Sequence, residues 1–142
     1  MKGLDGYEPH PARDAARASM AAVEDGDRAA WLGLFARDAC VEDPIGPSMF
    51  DPEGVGHRGP DAIAAFYDTV IASGRVEFAI RESYVGGHEC ANVGTITTTL
   101  PDGSRAIVEG VYTYRVDDTG RIVALRAYWE PARMTLVPPD GS

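Results

Sequence analysis

Cysteine is nearly missing from this chain: Cys40 and Cys90 are the only two in 142 residues. Two thiols build no disulfide framework, and neither they nor the three histidines show metal-ligand spacing. Long hydrophobic runs are missing too. No apolar stretch approaches the roughly 18 residues of a membrane span, and the opening MKGLDGYEPHPARD has no signal-peptide core. The expected compartment is therefore a reducing cytoplasm. Basic charge is scarce, with 13 Lys and Arg against 22 Asp and Glu and a net charge of −9. That excess repels polyanions, so neither nucleic acid nor an anionic membrane is an expected partner. A phosphate-cradling loop is lacking as well, because the glycines at 54–59 have no Lys-Ser/Thr behind them and no buried strand before them. No Ser/His/Asp elbow occurs. The sequence therefore calls for no cofactor and no metal.

What is present is one domain's worth of ordinary globular composition, 44% hydrophobic and 25% charged. Residues 1–10 read as a flexible lead, 11–134 as the domain and 135–142 as a flexible tail. Ala12, Ala15, Ala16, Ser19, Met20 and Val23 recur at helical spacing. Asp25-Gly26-Asp27 breaks this first helix, and Asp27 caps a second that carries Trp31, Leu34 and Phe35 and ends near Asp38. A short strand, Ala39 to Asp43, stops at Pro44. An irregular Gly/Pro-rich stretch follows, and then a third helix opens at Gly59-Pro60 and closes at Gly74. From there the period becomes 2. Val76, Phe78 and Ile80 share one face, as do Val93, Thr95, Thr97 and Thr99. Val108, Gly110, Tyr112 and Tyr114 form the third such set, and Val123, Leu125, Ala127 and Trp129 the fourth. Gly86-Gly87, Pro101-Asp102-Gly103 and Asp118-Thr119-Gly120 turn these strands into antiparallel hairpins. The layout predicts an α+β fold: a curved antiparallel sheet packed against three helices from the N-terminal half and enclosing a cavity for a small ligand.

Asp43 is the most unusual of the 22 acids. Strand alternation places it on the face of Val41, where an apolar side chain is expected. A carboxylate facing an apolar cavity is desolvated and becomes a usable general base. The plainer reading is a strand-end Asp that caps the following turn.

Three segments in one order, FARDACVEDPIG, HRGPDAIAAFY and GRIVALRAYW, resemble the Δ5-3-ketosteroid isomerases of the nuclear-transport-factor-like (SnoaL-like) superfamily. The likeness runs from about residue 12 to residue 133. It implies a cone-shaped fold and a homodimer. It also implies a reaction in which an Asp moves a proton from the carbon beside a steroid 3-ketone to the far end of the shifted double bond, through a dienolate held by an oxyanion hole. By the motif, Asp43 falls on the family's base. The family's catalytic Tyr falls on Ser19 and its protonated Asp on Tyr112, so neither usual donor is present. Both replacements lie on inward faces by periodicity, and Tyr112 still carries a phenolic donor. Phe35, Tyr67, Val76, Leu125 and Trp129 fall where the family lines its steroid pocket, each with plain core packing as the alternative. Thr95 and Thr97, on inward strand positions, add some polarity to the wall. By resemblance alone, Trp129 presents its indole N–H to Asp43.

His57 would pair with Asp43 if the superfamily's dehydratase arrangement applied. Glu42 and Glu109 should face away from the cavity, and the dimer surface would be the outer sheet face with Ile107, Val111 and Ile122. The loop from Ser48 to Val55 is either a lid or an insertion. The expected function is double-bond migration in a steroid or similar apolar cyclic ketone, by Asp43 with Tyr112 and Ser19. A non-catalytic binder of the same ligands stays open, as does an epoxide hydrolase or polyketide cyclase in the same pocket. Epoxide opening would require a second inward acid or an Asp–Arg–Asp arrangement, and the inward strand positions show Thr and Tyr instead.

Overall fold

Residues 1–140 are described by a computed structural model of the chain. Three α-helices lie in the N-terminal half, α1 (Pro11–Glu24), α2 (Arg28–Leu32) and α3 (Gly59–Thr69), with the first two strands between α2 and α3. The His10 ring accepts the Ala12 N–H at 3.1 Å to start α1, and Asp27 Oδ1 accepts the Ala30 N–H at 3.0 Å to start α2. The strands are β1 (Phe35–Glu42), β2 (His57–Arg58), β3 (Arg75–Gly86), β4 (Glu89–Thr99), β5 (Arg105–Val116), β6 (Ile122–Tyr128) and β7 (Thr135–Val137). They form one curled open sheet in the order β2-β1-β6-β5-β4-β3, with β7 continuing the β6 edge of β5. All pairs are antiparallel except β1 with β6. The helices cover the concave face, and the α+β architecture is the expected one. No described helix is long and apolar enough to cross a membrane.

Several expectations are corrected. The second helix ends at Leu32, capped by Gly33, and Phe35 already begins β1. Trp31, Leu34 and Phe35 imitate a helical face, but an irregular pairing between Phe35 and Cys40 lets an extended chain bury both ends of that segment. The lead is tied down: Lys2 bridges Ala79, Leu4 is fully buried, and the Met1 amino group pairs with Glu24. Three residues of the expected tail form β7; positions 141–142 lie outside the described residues.

Two parity errors matter for the site. On β4 the inward side chains are Cys90, Asn92, Ile96 and Thr98, so Thr95 and Thr97 face the other way. Thr95 sits on the outer surface, taking a hydrogen bond from Arg81 at 2.9 Å and donating to Glu109 at 3.3 Å. On β6 the register shifts between Arg115 and Val116, which leaves Val123 as the extra residue and turns Ile122 inward. Ile122 is fully buried and is no part of an outer face; Ile107 and Val111 remain there, half-buried.

Candidate active site

The curl of the sheet and the three helices enclose a cavity of about 220 Å³. Most of its wall is aliphatic or aromatic: Val41 from β1, Val76 and Phe78 from β3, Val108 from β5, Leu125 and Ala127 from β6. Phe35 and Tyr67, expected in this wall, stand behind it. Both pack on Trp31, at ring-centroid distances of 4.6 and 5.5 Å, and it is Trp31 that reaches the cavity. Val76, Leu125 and Trp129 do line it.

Asp43 follows the last residue of β1, with its remaining open surface turned to the cavity. It is the one carboxylate among the described lining residues. The Trp129 indole N–H donates to Asp43 Oδ1 at 2.7 Å. The sequence prepares this contact on the neighbouring strand. Gly110 in β5 lies so close to β6 that a Cβ there would stand 2.3 Å from Tyr128 O and 3.0 Å from Trp129 Cβ. Only a residue without a side chain lets Trp129 close over the carboxylate.

Burial raises the proton affinity of Asp43, while the Trp129 hydrogen bond and the neighbouring His57 act in the opposite direction. His57 is held on β2 opposite Val41, tilted on the Phe66 ring at 4.8 Å. Its Nε2 is buried with no hydrogen-bond partner, and the residue does not line the cavity. Glu42 pairs with Arg126 at 3.1 Å and Glu109 with Arg81 at 3.4 Å, both off the cavity wall.

The loop after Asp43 contributes a wall. Asp51, 6% exposed, accepts the backbone N–H groups of Val55 at 3.2 Å and Gly56 at 2.8 Å. Gly56 has φ +80°, and a Cβ there would stand 2.4 Å from Cys40 Sγ. The stapled loop sets Phe50 against the cavity, edge-on to Trp129 with ring centroids 6.5 Å apart. Phe50 escaped the sequence reading because no periodicity reaches into an irregular loop. Its only signal was a lone aromatic in a Gly/Pro-rich stretch beside Asp43.

Five hydroxyl side chains line the cavity with Asp43, those of Ser19, Ser73, Thr98, Tyr112 and Tyr114, and Ser73 donates to Val70 O at 2.6 Å. Tyr112 donates to Gly94 O at 3.2 Å, with Val108 O at 3.4 Å as a second acceptor. Its proton is therefore occupied by backbone carbonyls. Ser19, on the buried stripe of α1, accepts the Trp31 indole N–H at 3.1 Å and lies 3.3 Å from the Tyr114 hydroxyl. Tyr114 is a lining residue that the sequence analysis placed on the strand face of Tyr112 without giving it a role in the site. Burial, with the Asp43 charge adding to it, pushes both phenols up, so each keeps its proton across the neutral range. The arrangement can hold an apolar molecule, accept a proton at Asp43 and offer hydrogen bonds to an oxygen. Among the described residues no three His, Cys, Asp or Glu converge as metal ligands.

The SnoaL-like domain family model matches residues 16–125 of the chain. A steroid Delta-isomerase of Nocardioides simplex is 31% identical over 117 residues, covering 82% of this chain and 88% of that protein. Among solved structures, a Δ5-3-ketosteroid isomerase from Mycobacterium sp. superposes with a TM-score of 0.87 at 43% identity, over 91% of this chain and all of the other. A Mycobacterium tuberculosis protein solved in complex with estradiol-17β-hemisuccinate gives a TM-score of 0.85 at 37% identity, over 89% of this chain and 99% of that one.

Proposed function

The chain belongs to the SnoaL-like domain family, and from that premise we propose that it binds a steroid or a similar apolar cyclic ketone and shifts its double bond by proton transfer through Asp43. The observation that carries this reading is the lone cavity carboxylate, held by the Trp129 N–H at 2.7 Å inside a largely apolar wall. One carboxylate suffices for the chemistry. Asp43 takes a proton from the carbon between the ketone and the double bond. The C–H electron pair moves into a dienolate, and the carboxylic acid returns the same proton to the far carbon. Nothing is oxidised and nothing leaves. The raised proton affinity of Asp43 suits both halves of this cycle, and an apolar wall keeps water from exchanging the proton. The steroids named for the similar proteins support the ligand class.

Conversion of a Δ5-3-ketosteroid to its conjugated Δ4 isomer, followed by ultraviolet absorbance, tests the reading. Catalysed conversion with the protium retained in deuterium oxide is the expected result. Steroid binding without conversion above background would replace it with the second reading, a binder that does not catalyse. One observation favours that second reading: the Tyr112 proton, an expected oxyanion donor, is occupied by backbone carbonyls. Epoxide opening with paired acids is not supported, since Asp43 has no second carboxylate beside it in the described wall. The same proposal includes a homodimer through the outer sheet face around Ile107 and Val111, and a cytoplasmic location. Two buried free cysteines suit a reducing compartment. Light scattering on an eluting size-exclusion peak reads the mass directly, and a monomer would end the dimer claim.

A further inference from the structure

We propose that the group gripping the ligand oxygen opposite Asp43 is the Ser19–Tyr114 hydroxyl pair, with Tyr114 as the donor, and that Tyr112 serves only as wall. The inference rests on the ketone-binding reading above and supplies the electrophilic partner that the reading lacks. It follows from a count of protons. The Trp31 indole can only donate, and it donates to Ser19 Oγ at 3.1 Å. Ser19 and Tyr114 together own two hydroxyl protons, and the 3.3 Å bond between their oxygens occupies one. The other has no acceptor among the described residues, and both side chains line the cavity. Whichever way the shared bond runs, one O–H donor is left for a ligand. Tyr112 is the converse case, since its single proton is already directed at Gly94 O and Val108 O.

The direction of the chain follows from acidity. A phenol, at about 10 in its ordinary state, is a far stronger hydrogen-bond donor than an aliphatic alcohol. When negative charge develops on the ligand oxygen, the favoured order is Trp31 N–H to Ser19, Ser19 O–H to Tyr114, and Tyr114 O–H to the ligand. Each link polarises the next. Tyr114 is then a catalytic residue, because it touches the reacting oxygen, and Ser19 and Trp31 are positioning residues. The site discriminates by chemistry. It favours an oxygen that accepts, such as a ketone, an enolate or a phenolate, and most of all one on which negative charge develops.

The test uses equilenin, a naphtholic steroid whose fluorescence separates its neutral and ionised bound forms, together with turnover of a Δ5-3-ketosteroid. Tyr114→Phe is expected to weaken equilenin at least tenfold and to lower kcat by roughly a hundredfold or more, with KM moved less than threefold. Tyr112→Phe is expected to cost at least tenfold less in kcat than Tyr114→Phe. Ser19→Ala is expected to lower the ionised fraction of bound equilenin, and Ser19→Thr to restore it. That signature does not move if Ser19 is only packing, and the serine pair still decides the matter should Tyr114→Phe fail to fold. A larger loss in Tyr112→Phe than in Tyr114→Phe, or an ionised fraction unchanged in Ser19→Ala, overturns the assignment. If wild type binds equilenin with this Tyr114 dependence but converts no ketosteroid, the isomerase reading fails and the donor assignment stands. Conversion that survives Tyr114→Phe within threefold removes the assignment alone. Absence of equilenin binding removes both.

Discussion

Replacing Asp43 with asparagine should make the protein more stable at neutral pH, by an amount that depends on pH in a defined way. Asp43 is enclosed by protein, and desolvation raises its proton affinity above that of the unfolded chain. The folded state therefore holds a proton on Asp43 at pH values where the unfolded state has lost it. The unfolded carboxyl titrates near 3.9. Below that value both states are protonated, and Asp43 contributes no pH dependence. As pH rises from there through the folded value, stability is lost at up to about 1.4 kcal/mol per pH unit, the limit for one proton. In a domain of this length that slope corresponds to roughly 5 °C in Tm per pH unit. Asparagine keeps an oxygen to accept the Trp129 N–H but has no charge to desolvate, so the variant lacks the slope. Its unmatched amide protons add a penalty of their own, yet a constant one that does not change with pH. Thermal melts of both proteins at half-unit steps from pH 3.5 to 8 give the difference curve. It should be level at the acid end, climb in favour of Asp43→Asn above about pH 4, and flatten once Asp43 ionises in the fold. A level difference across the whole range would show that Asp43 is solvated like a surface acid, and the argument for it as a base would fall with it.

Three other outcomes follow from the geometry. Trp129→Phe removes the N–H that works against the rise in Asp43 proton affinity; the ascending limb of the kcat/KM profile should move to higher pH, and an unmoved limb would separate Trp129 from the base. Asp51→Ala strips the acceptor from the Val55 and Gly56 N–H groups; it should cost about 2–3 kcal/mol in a urea melt and raise KM as Phe50 loosens, and an unchanged KM would mean that Phe50 closes nothing. Arg13, 5% exposed, donates to Ser83 Oγ at 2.9 Å, to Ser83 O at 3.3 Å and to Glu8 O at 2.7 Å. Arg13→Met should lose about 2–3 kcal/mol by orphaning those acceptors and leave kcat within twofold; equal stability in a urea melt would show the network to be idle.

The helix-then-strand order and the inward faces of β5 and the later half of β6 were legible because their apolar and polar positions contrast. On β4 the contrast fails. Thr95 and Thr97 are good strand formers on either face, and the truly inward positions include Asn92 and Gly94. Register held the missing information. Across the tight turn at 101–103, Thr98 pairs with Ala106 and Ile96 with Val108, so β4 and β5 share parity and the inward set of β5 dictates that of β4. Asp43 could be singled out from its segment, since its oddity is local. The Ser19–Tyr114 pair could not. It joins α1 to β5 across 95 positions, and nothing in either segment announces the other. Phe35 and Tyr67 misled for a related reason: a buried aromatic reads alike whether it lines a cavity or supports the ring that does.

The central claim is that Asp43 carries the proton, and turnover by Asp43→Asn at saturating Δ5-3-ketosteroid tests it most directly. Removal of the base should lower kcat by at least about a hundredfold, while equilenin still binds and the cavity stays intact. A variant that binds the steroid and turns it over within threefold of wild type would contradict the account.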